Sequence, residues 1–283
     1  MMNIIAPKKC KIEKNGKKVS PVMGMEVKGL QLSEFDDLDI QHLRSSLIKN
    51  KLLIFRDQIM NSDELMVLAN QLGEVQKYPF SNGIEGYDRI VEIRKEPNQK
   101  ENFSGVWHID STYLSNPPDF TVLMAKCTPE IGGDTVFSDV QYAFSCLSKG
   151  MQELLLTMKG EFISNKYQTS EEKKSHLGNF DKTITKSQSF TSIHPLIKIH
   201  EETGIPSIYA NKEHTIRVDK MTSEESAPLL DYLFSHIAKS EFTFRVKWEK
   251  NTVVLWDNRG LQHHAVNDYF DSLRVMHRVI INS

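Results

Sequence analysis

Gly105-Val106-Trp107-His108-Ile109-Asp110-Ser111-Thr112 is the stretch on which the reading of this chain turns. It reads as a strand running out into a loop, with His108 and Asp110 two residues apart. Side chains two apart on a strand point the same way, from Cα atoms about 6.6 Å apart. An imidazole and a carboxylate so placed can lean together onto one cation. Two ligands leave a metal under-held, so a third is needed. Candidates stand near the C-terminus, in Trp256-Asp257-Asn258-Arg259-Gly260-Leu261-Gln262-His263-His264 and Arg274-Val275-Met276-His277-Arg278.

A His-x-acid triplet is weak on its own, because a chain of this composition holds roughly one by chance. A second copy is present at His200-Glu201-Glu202. Thr203-Gly204 follow it, a turn-like setting, and it reads as a solvated hairpin tip. His108 differs in following Trp107 and in preceding Pro117-Pro118. The distant stretch adds weight. Thr252 to Trp256 is an apolar strand ending in the turn Asp257-Asn258-Arg259-Gly260. His263 and His264 then lie on opposite sides of an extended backbone, so only one can face a buried site. Arg274 and Arg278 alternate with hydrophobic residues on one strand face, about 13 Å apart. Two arginines facing a core are costly unless they meet anions. They could pair internally with Asp257 or Asp268. They could instead recognise a small dicarboxylate and an acidic substrate, since the guanidinium fork matches carboxylates.

The remaining composition narrows the class. Thirty-five basic side chains against 37 acidic ones leave a formal charge of -2 over 283 residues. That balance argues against nucleic acid or a membrane surface as partner. Lysines between Lys8 and Lys18 suggest a basic N-terminal arm over residues 1–20. No apolar run approaches the roughly 18 residues of a membrane-spanning helix, and the first residues do not read as a secretory signal. Cys10, Cys127 and Cys146 are few and lack metal-type spacing. A cytoplasmic location without disulfides is the expectation.

No internal repeat and no long Pro/Gly/Ser linker divides the chain, so a single domain over 1–283 is expected. Met25–Leu30, Lys51–Arg56, Arg89–Arg94, Thr121–Lys126 and Asp134–Phe137 read as strands. Leu38, Leu43 and Leu47 mark a helix from Glu34 to Asn50. Asn61-Ser62-Asp63 caps a second helix, with Leu65, Leu68 and Leu72 on one side and Gly73 at its end. Helical patches follow near Val140–Leu147 and Met151–Met158. Residues 164–189 are long for a connection and are read as a mobile lid. Strands then recur around Ile193–Ile199, Ser207–Ala210, Thr215–Val218, Phe242–Trp248, Thr252–Asp257 and Leu273–Ile281. Thr222-Ser223-Glu224-Glu225 is a capping box, although Pro228 suggests a helix that begins only just before it. Many short strands with helices at the margins point to a mainly β sandwich or jelly roll.

At this point the residues carry a resemblance. Trp107-His108-Ile109-Asp110, Pro117-Pro118, Gly132-Gly133-Asp134-Thr135, Trp256 through His263, and then Arg274 and Arg278 stand in a distinctive order and spacing. The chain resembles the taurine dioxygenase-like family of iron(II)/2-oxoglutarate-dependent oxygenases from the Met25 strand to Ile281. The resemblance implies a double-stranded β-helix (jelly roll). It implies Fe(II) held by His108, Asp110 and His263, which would also be the catalytic centre, with His263 preferred over His264. It implies 2-oxoglutarate held by Arg274 and Thr135, and O2 as the second cosubstrate. Arg278 would meet the acidic group of a small organic anion: a sulfonate, sulfate ester, carboxylate or amino acid. Positions near the sulfonate in taurine oxygenases correspond here to Tyr78 and to Phe103 or Ser104, a departure that argues against taurine. The expected outcome is oxidation of the anion with release of succinate and CO2, in a protein that, like others of this type, could be a dimer or tetramer. A non-catalytic metal- and ligand-binding jelly roll is the alternative, and a zinc hydrolase a weaker one.

Overall fold

The computed structural model describes residues 10–100, 102–164 and 189–283. An eight-stranded sheet forms the middle layer. Its order is β1 (Gly16–Lys18), β2 (Met25–Val27), β3 (Leu52–Phe55), β14 (Val253–Asp257), β6 (Phe120–Cys127), β16 (Arg274–Asn282) and β4 (Glu74–Gln76), with β5 (Val91–Lys95) also paired to β16. β2 runs parallel to β3, whereas β14 is antiparallel to both its neighbours.

The central strands are apolar at nearly every position because both faces are covered. Leu53, Phe55, Val122, Met124, Val253, Leu255, Val279 and Ile281 enter one hydrophobic cluster. The alternate residues Leu52, Ile54, Leu123, Ala125, Val254, Trp256 and Met276 enter another. This is the period-two consequence of a sheet buried on two sides. Helices α2 (Asp37–Asn50) and α3 (Ser62–Leu72) cover the first face through Leu43, Leu47, Leu65 and Leu68, with Ile12 of α1 (Lys11–Asn15) beside them. Both longer helices open with a capping box, Asp36 with Asp39 and Asn61 with Glu64. A second sheet, β13 (Thr243–Val246), β7 (Thr135–Asp139) and β15 (Leu261–Ala265), covers the other face. Its Phe137, Val246 and Leu261 meet the inner residues of the large sheet.

The remaining strands form a flank. β12 (Thr215–Val218), β8 (Lys159–Ile163) and β9 (Thr191–Pro195) make a third sheet, next to a hairpin of β10 (Ile197–Ile199) and β11 (Pro206–Ile208). These pack with α4 (Val140–Ser145), α5 (Lys149–Leu156) and α6 (Ser223–Ile237) around Leu155, Leu196, Ile208, Leu230 and Leu233. The fold is mainly β with helices at its margins, as its sequence pattern suggests.

Several expectations need correction. Leu38 is 41% exposed, and Ile40 replaces it in the buried stripe with Leu43 and Leu47. α6 starts at Ser223 with its Thr222–Glu225 capping box intact, and Pro228 lies inside it. The box and the packing of Leu230, Leu233 and Ile237 outweigh the one backbone bond that proline cannot donate. Residues 11–18 are not an arm: Lys11 opens α1 and bonds Asp39 at 2.6 Å, and Lys17 and Lys18 sit in β1. The stretch around His108 is no strand but a single bridge to His263. β8 is a strand that periodicity did not reveal. The lid expected over 164–189 falls, for residues 165–188, outside the described residues.

Leu255 is fully buried between the helices and the large sheet. Leu255→Ala is expected to lower unfolding free energy by about 2–5 kcal/mol, read as a shifted urea midpoint at unchanged slope. A loss below about 1 kcal/mol would contradict the two-sided burial of β14.

Candidate metal centre

The site forms where the two facing sheets open at one end. β15 contributes His263 on the face it turns toward the large sheet, because His263 is paired with Phe137 of β7 and shares its side. Phe137 stacks on the imidazole at 5.6 Å, and Trp256 closes on it edge-on at 4.7 Å. His264 points the other way, its ring 4.5 Å from Trp107. Alternation along one strand therefore separates the two histidines.

His108 is brought opposite His263 by the bridge between their backbones, with two N–H to carbonyl bonds of 2.9 Å. The His108 Nδ1 lies 2.8 Å from the Val106 carbonyl. A carbonyl can only accept, so Nδ1 is the donor and Nε2 is the nitrogen left to face a metal. Ser111, just beyond Asp110, has φ 52°, a left-handed conformation that turns the chain back at once. One ligand atom each from His108, Asp110 and His263 lie within 4.8 Å of one another, and all three residues are buried.

The charges are arranged around Asp110. Its Oδ1 accepts from Arg278 Nη1 at 2.9 Å and its Oδ2 from the Thr121 hydroxyl at 2.7 Å. Burial alone would raise the carboxyl pKa. The Arg278 guanidinium, helped by the Thr121 hydroxyl, outweighs burial and holds it at about 2. Burial drives His263 far below the usual histidine range, so its ring is neutral. His108 Nε2 and His263 Nδ1 are buried without a hydrogen-bond partner among the described residues. Two imidazoles with nitrogens unbonded among the described residues and one ionised carboxylate suit a divalent metal held by one face.

Beside the triad is a pocket lined in part by Ser104, Thr135, His263, Arg274 and Arg278. Arg274 and Arg278 both project from β16 into this space. Arg274 is 5% exposed, and its Nε donates to the Gly133 carbonyl at 3.0 Å. Gly133 has φ 70°, and a Cβ there would stand 3.3 Å from the Arg274 side chain, so both backbone and space call for glycine. No carboxylate among the described residues forms an ion pair with Arg274, and burial pushes its pKa down. The Thr135 hydroxyl oxygen accepts from the Trp248 indole at 3.0 Å, leaving its own hydrogen to donate. Arg278 pairs with Asp110, while its Nε and Nη2 are buried without a partner among the described residues. Tyr78 stacks on that guanidinium at 4.6 Å and does not itself line the cavity; Phe103 lies 5.8 Å away. Ser104, at φ 65°, accepts a backbone bond from Ala265 at 2.9 Å.

Two further features escaped the sequence reading. His200 is not solvated: it is buried, and its Nε2 lies 3.0 Å from Asp257. Asp257 also holds Arg259, which reaches Glu202 at 2.9 Å, so the acidic hairpin tip is folded onto a buried cation. Thr121 and Asn258 join the Asp110 network, with Asn258 Nδ2 donating to the Thr121 hydroxyl at 2.9 Å. The only signal for Thr121 is a lone hydroxyl at an inner position of an otherwise apolar strand.

Comparison with known proteins bears on this geometry. The model of the "Taurine catabolism dioxygenase TauD, TfdA family" matches residues 15–280. An "Alpha-ketoglutarate-dependent sulfonate dioxygenase" of Saccharomyces cerevisiae is 28% identical over 265 residues, 89% of this chain and 63% of the relative. The chain therefore spans less than two thirds of that protein. An "Alkylsulfatase" of Acinetobacter baylyi is 29% identical over 274 residues, 94% of this chain and 84% of the relative. The crystal structure of a taurine dioxygenase from Burkholderia xenovorans superposes with a TM-score of 0.78 at 26% identity, covering 94% of this chain and 89% of that one.

The depressed Asp110 carboxyl makes stability depend on pH. Its contribution is fully present above the ordinary carboxyl value near 3.8 and is lost as pH falls from there toward about 2. At pH 7, Asp110→Asn in metal-free protein should cost about 3–5 kcal/mol by leaving Arg278 buried and unpaired. That gap should shrink between about pH 4 and pH 2. Urea midpoints measured across that range check it, and a gap that stays constant would contradict the ionised pair.

Proposed function

We propose, on the premise that the chain belongs to the taurine catabolism dioxygenase TauD, TfdA family, that it is an iron(II)- and 2-oxoglutarate-dependent dioxygenase oxidising a small organic anion. The observation that carries this reading is the convergence of His108, Asp110 and His263, with two imidazole nitrogens lacking any other partner. These three residues would hold the iron. The facing sheets support a double-stranded β-helix, or jelly roll, acting as one catalytic domain. Free thiols at Cys10, Cys127 and Cys146 support a reducing, cytoplasmic setting. Among the described residues, no helix is long and apolar enough to cross a membrane.

When bound, iron(II) with 2-oxoglutarate and O2 supplies the oxidation of a substrate C–H, with succinate and CO2 as coproducts. The chain supplies position and shielding. Arg274, a buried cation with no carboxylate partner among the described residues, fits the far carboxylate of 2-oxoglutarate, and the Thr135 hydroxyl offers a second donor. The bond from His108 Nδ1 to the Val106 carbonyl orients the ring so that Nε2 faces the metal position. Trp256, Phe137 and Leu123 exclude water from the inner wall, which strengthens each of these electrostatic contacts.

The Nε and Nη2 edge of Arg278, which Asp110 leaves open, fits the substrate's anionic group. Ser104 lines the same cavity, and Tyr78 fixes the guanidinium by stacking on it. Around them Ile93, Phe103, Leu123, Trp256 and Ala265 give the same pocket an apolar wall. That surrounding supports an anion with an apolar body, such as an alkyl sulfate, alkyl or aryl sulfonate, or arylalkanoate, over a zwitterion such as taurine.

Succinate release under air, with iron(II), 2-oxoglutarate and a panel of anions, tests the reading. Apolar anions should stimulate release at least tenfold more than taurine at equal concentration, and Asp110→Ala should abolish it. Stimulation by taurine alone would overturn the substrate assignment. If no anion stimulates release while the protein still binds iron, it is a binding module instead. Arg274→Ala should raise the 2-oxoglutarate concentration for half-maximal rate by at least tenfold. An unchanged requirement would remove Arg274 from the cosubstrate site.

A further inference from the structure

Asp110 has two oxygens, and they are treated differently. Oδ1 is the one that faces the other ligands, 3.9 Å from His108 Nε2. Oδ2 accepts the Thr121 hydroxyl at 2.7 Å. Thr121 in turn accepts from Asn258 Nδ2 at 2.9 Å, and Asn258 Oδ1 accepts from Trp256 Nε1 at 2.9 Å. The direction of each bond in this row is forced. An indole N–H only donates, so the Asn258 oxygen faces Trp256 and its amide nitrogen faces Thr121. With one lone pair taken by that amide, the Thr121 hydroxyl turns its hydrogen to the carboxylate. Trp256, Asn258, Thr121 and Asp110 are all 2% exposed or less, so water does not compete for any link.

A carboxylate on a metal can bind through one oxygen or through both. Binding through both would occupy a position that a chelating keto acid and O2 together require. We propose that Thr121 is a positioning residue that, oriented by Asn258 and Trp256, pins Asp110 Oδ2 away from the metal and leaves Oδ1 as the single coordinating oxygen. This rests on the reading of His108, Asp110 and His263 as the ligand set. The elements suit the task. Thr121 lies on β6, in the middle of the large sheet, and Trp256 lies on β14, its antiparallel neighbour, with Thr121 and Trp256 directly paired. The support for the carboxylate therefore comes from paired central strands of the large sheet, not from the loop that carries Asp110.

The test is Mn(II) binding to metal-free protein, read from the signal of free Mn(II) by electron paramagnetic resonance, with urea midpoints to confirm folding. Thr121→Val, equal in shape but without the hydroxyl, should weaken Mn(II) binding by about 10- to 100-fold, the usual effect of removing a hydrogen bond behind a metal ligand. Thr121→Ser should stay within about threefold of the parent. Should Thr121→Val not fold, the pair Thr121→Ala and Thr121→Ser decides, since both lose the methyl group and only one keeps the hydroxyl. A folded Thr121→Val that binds like the parent, or equal weakening in the Ala and Ser variants, overturns the role of Thr121 alone. Parent protein that binds Mn(II) no better than His108→Ala overturns the ligand set and this inference with it.

Discussion

A single buried carboxylate sets the terms for the rest of this structure. Asp110 is almost wholly out of water and yet ionised, because Arg278 meets it at 2.9 Å and Thr121 bonds its other oxygen. Removing a charge from water costs several kcal/mol even after relaxation, and an imperfect partner does not offset that. The surrounding fold therefore has to hold Arg278, Thr121 and the two histidines in fixed places around it. The large sheet does so with β6 and β16, and the smaller sheet with β15. Neither sheet alone carries the site. Their facing inner surfaces bring chain segments more than 150 residues apart to one point.

Much of that arrangement was legible in the sequence. His108 and Asp110 are two apart, and any extended geometry, even one bridge, turns both side chains the same way. Alternation in β15 forced a choice between His263 and His264, and the stacking of Phe137 on His263 accounts for which one turns inward. Arg274 and Arg278 stood out because arginine at alternate positions of an apolar strand demands an anion. The apolar runs of β3 and β14 announced burial on two faces.

What could not be read depended on contacts between remote segments. Leu38 fits the helical period but lies in the first turn of α2 and is exposed. Pro228 looked like a helix boundary because propensity is local, whereas the capping box and the packed leucines of α6 decide the outcome. His200 looked solvated because nothing nearby in sequence reveals that Asp257 and Arg259 lie beneath it. Thr121 and Asn258 belong to one hydrogen-bonded row only because β6 and β14 are neighbours in the sheet. That pairing is a property of topology, invisible in either strand alone.

The distribution of charge also explains the division of labour in the cavity. Among the described residues Arg274 forms no ion pair with a carboxylate, whereas Arg278 gives its Nη1 to Asp110. An anion met by Arg278 is thus one side chain removed from the metal-facing carboxylate. The central claim is that His108, Asp110 and His263 share one metal ion, and anomalous scattering from crystals grown with Mn(II) tests it most directly. One strong peak bonded to an atom of each residue is the predicted result. A peak elsewhere, or one touching fewer than all three, would contradict it.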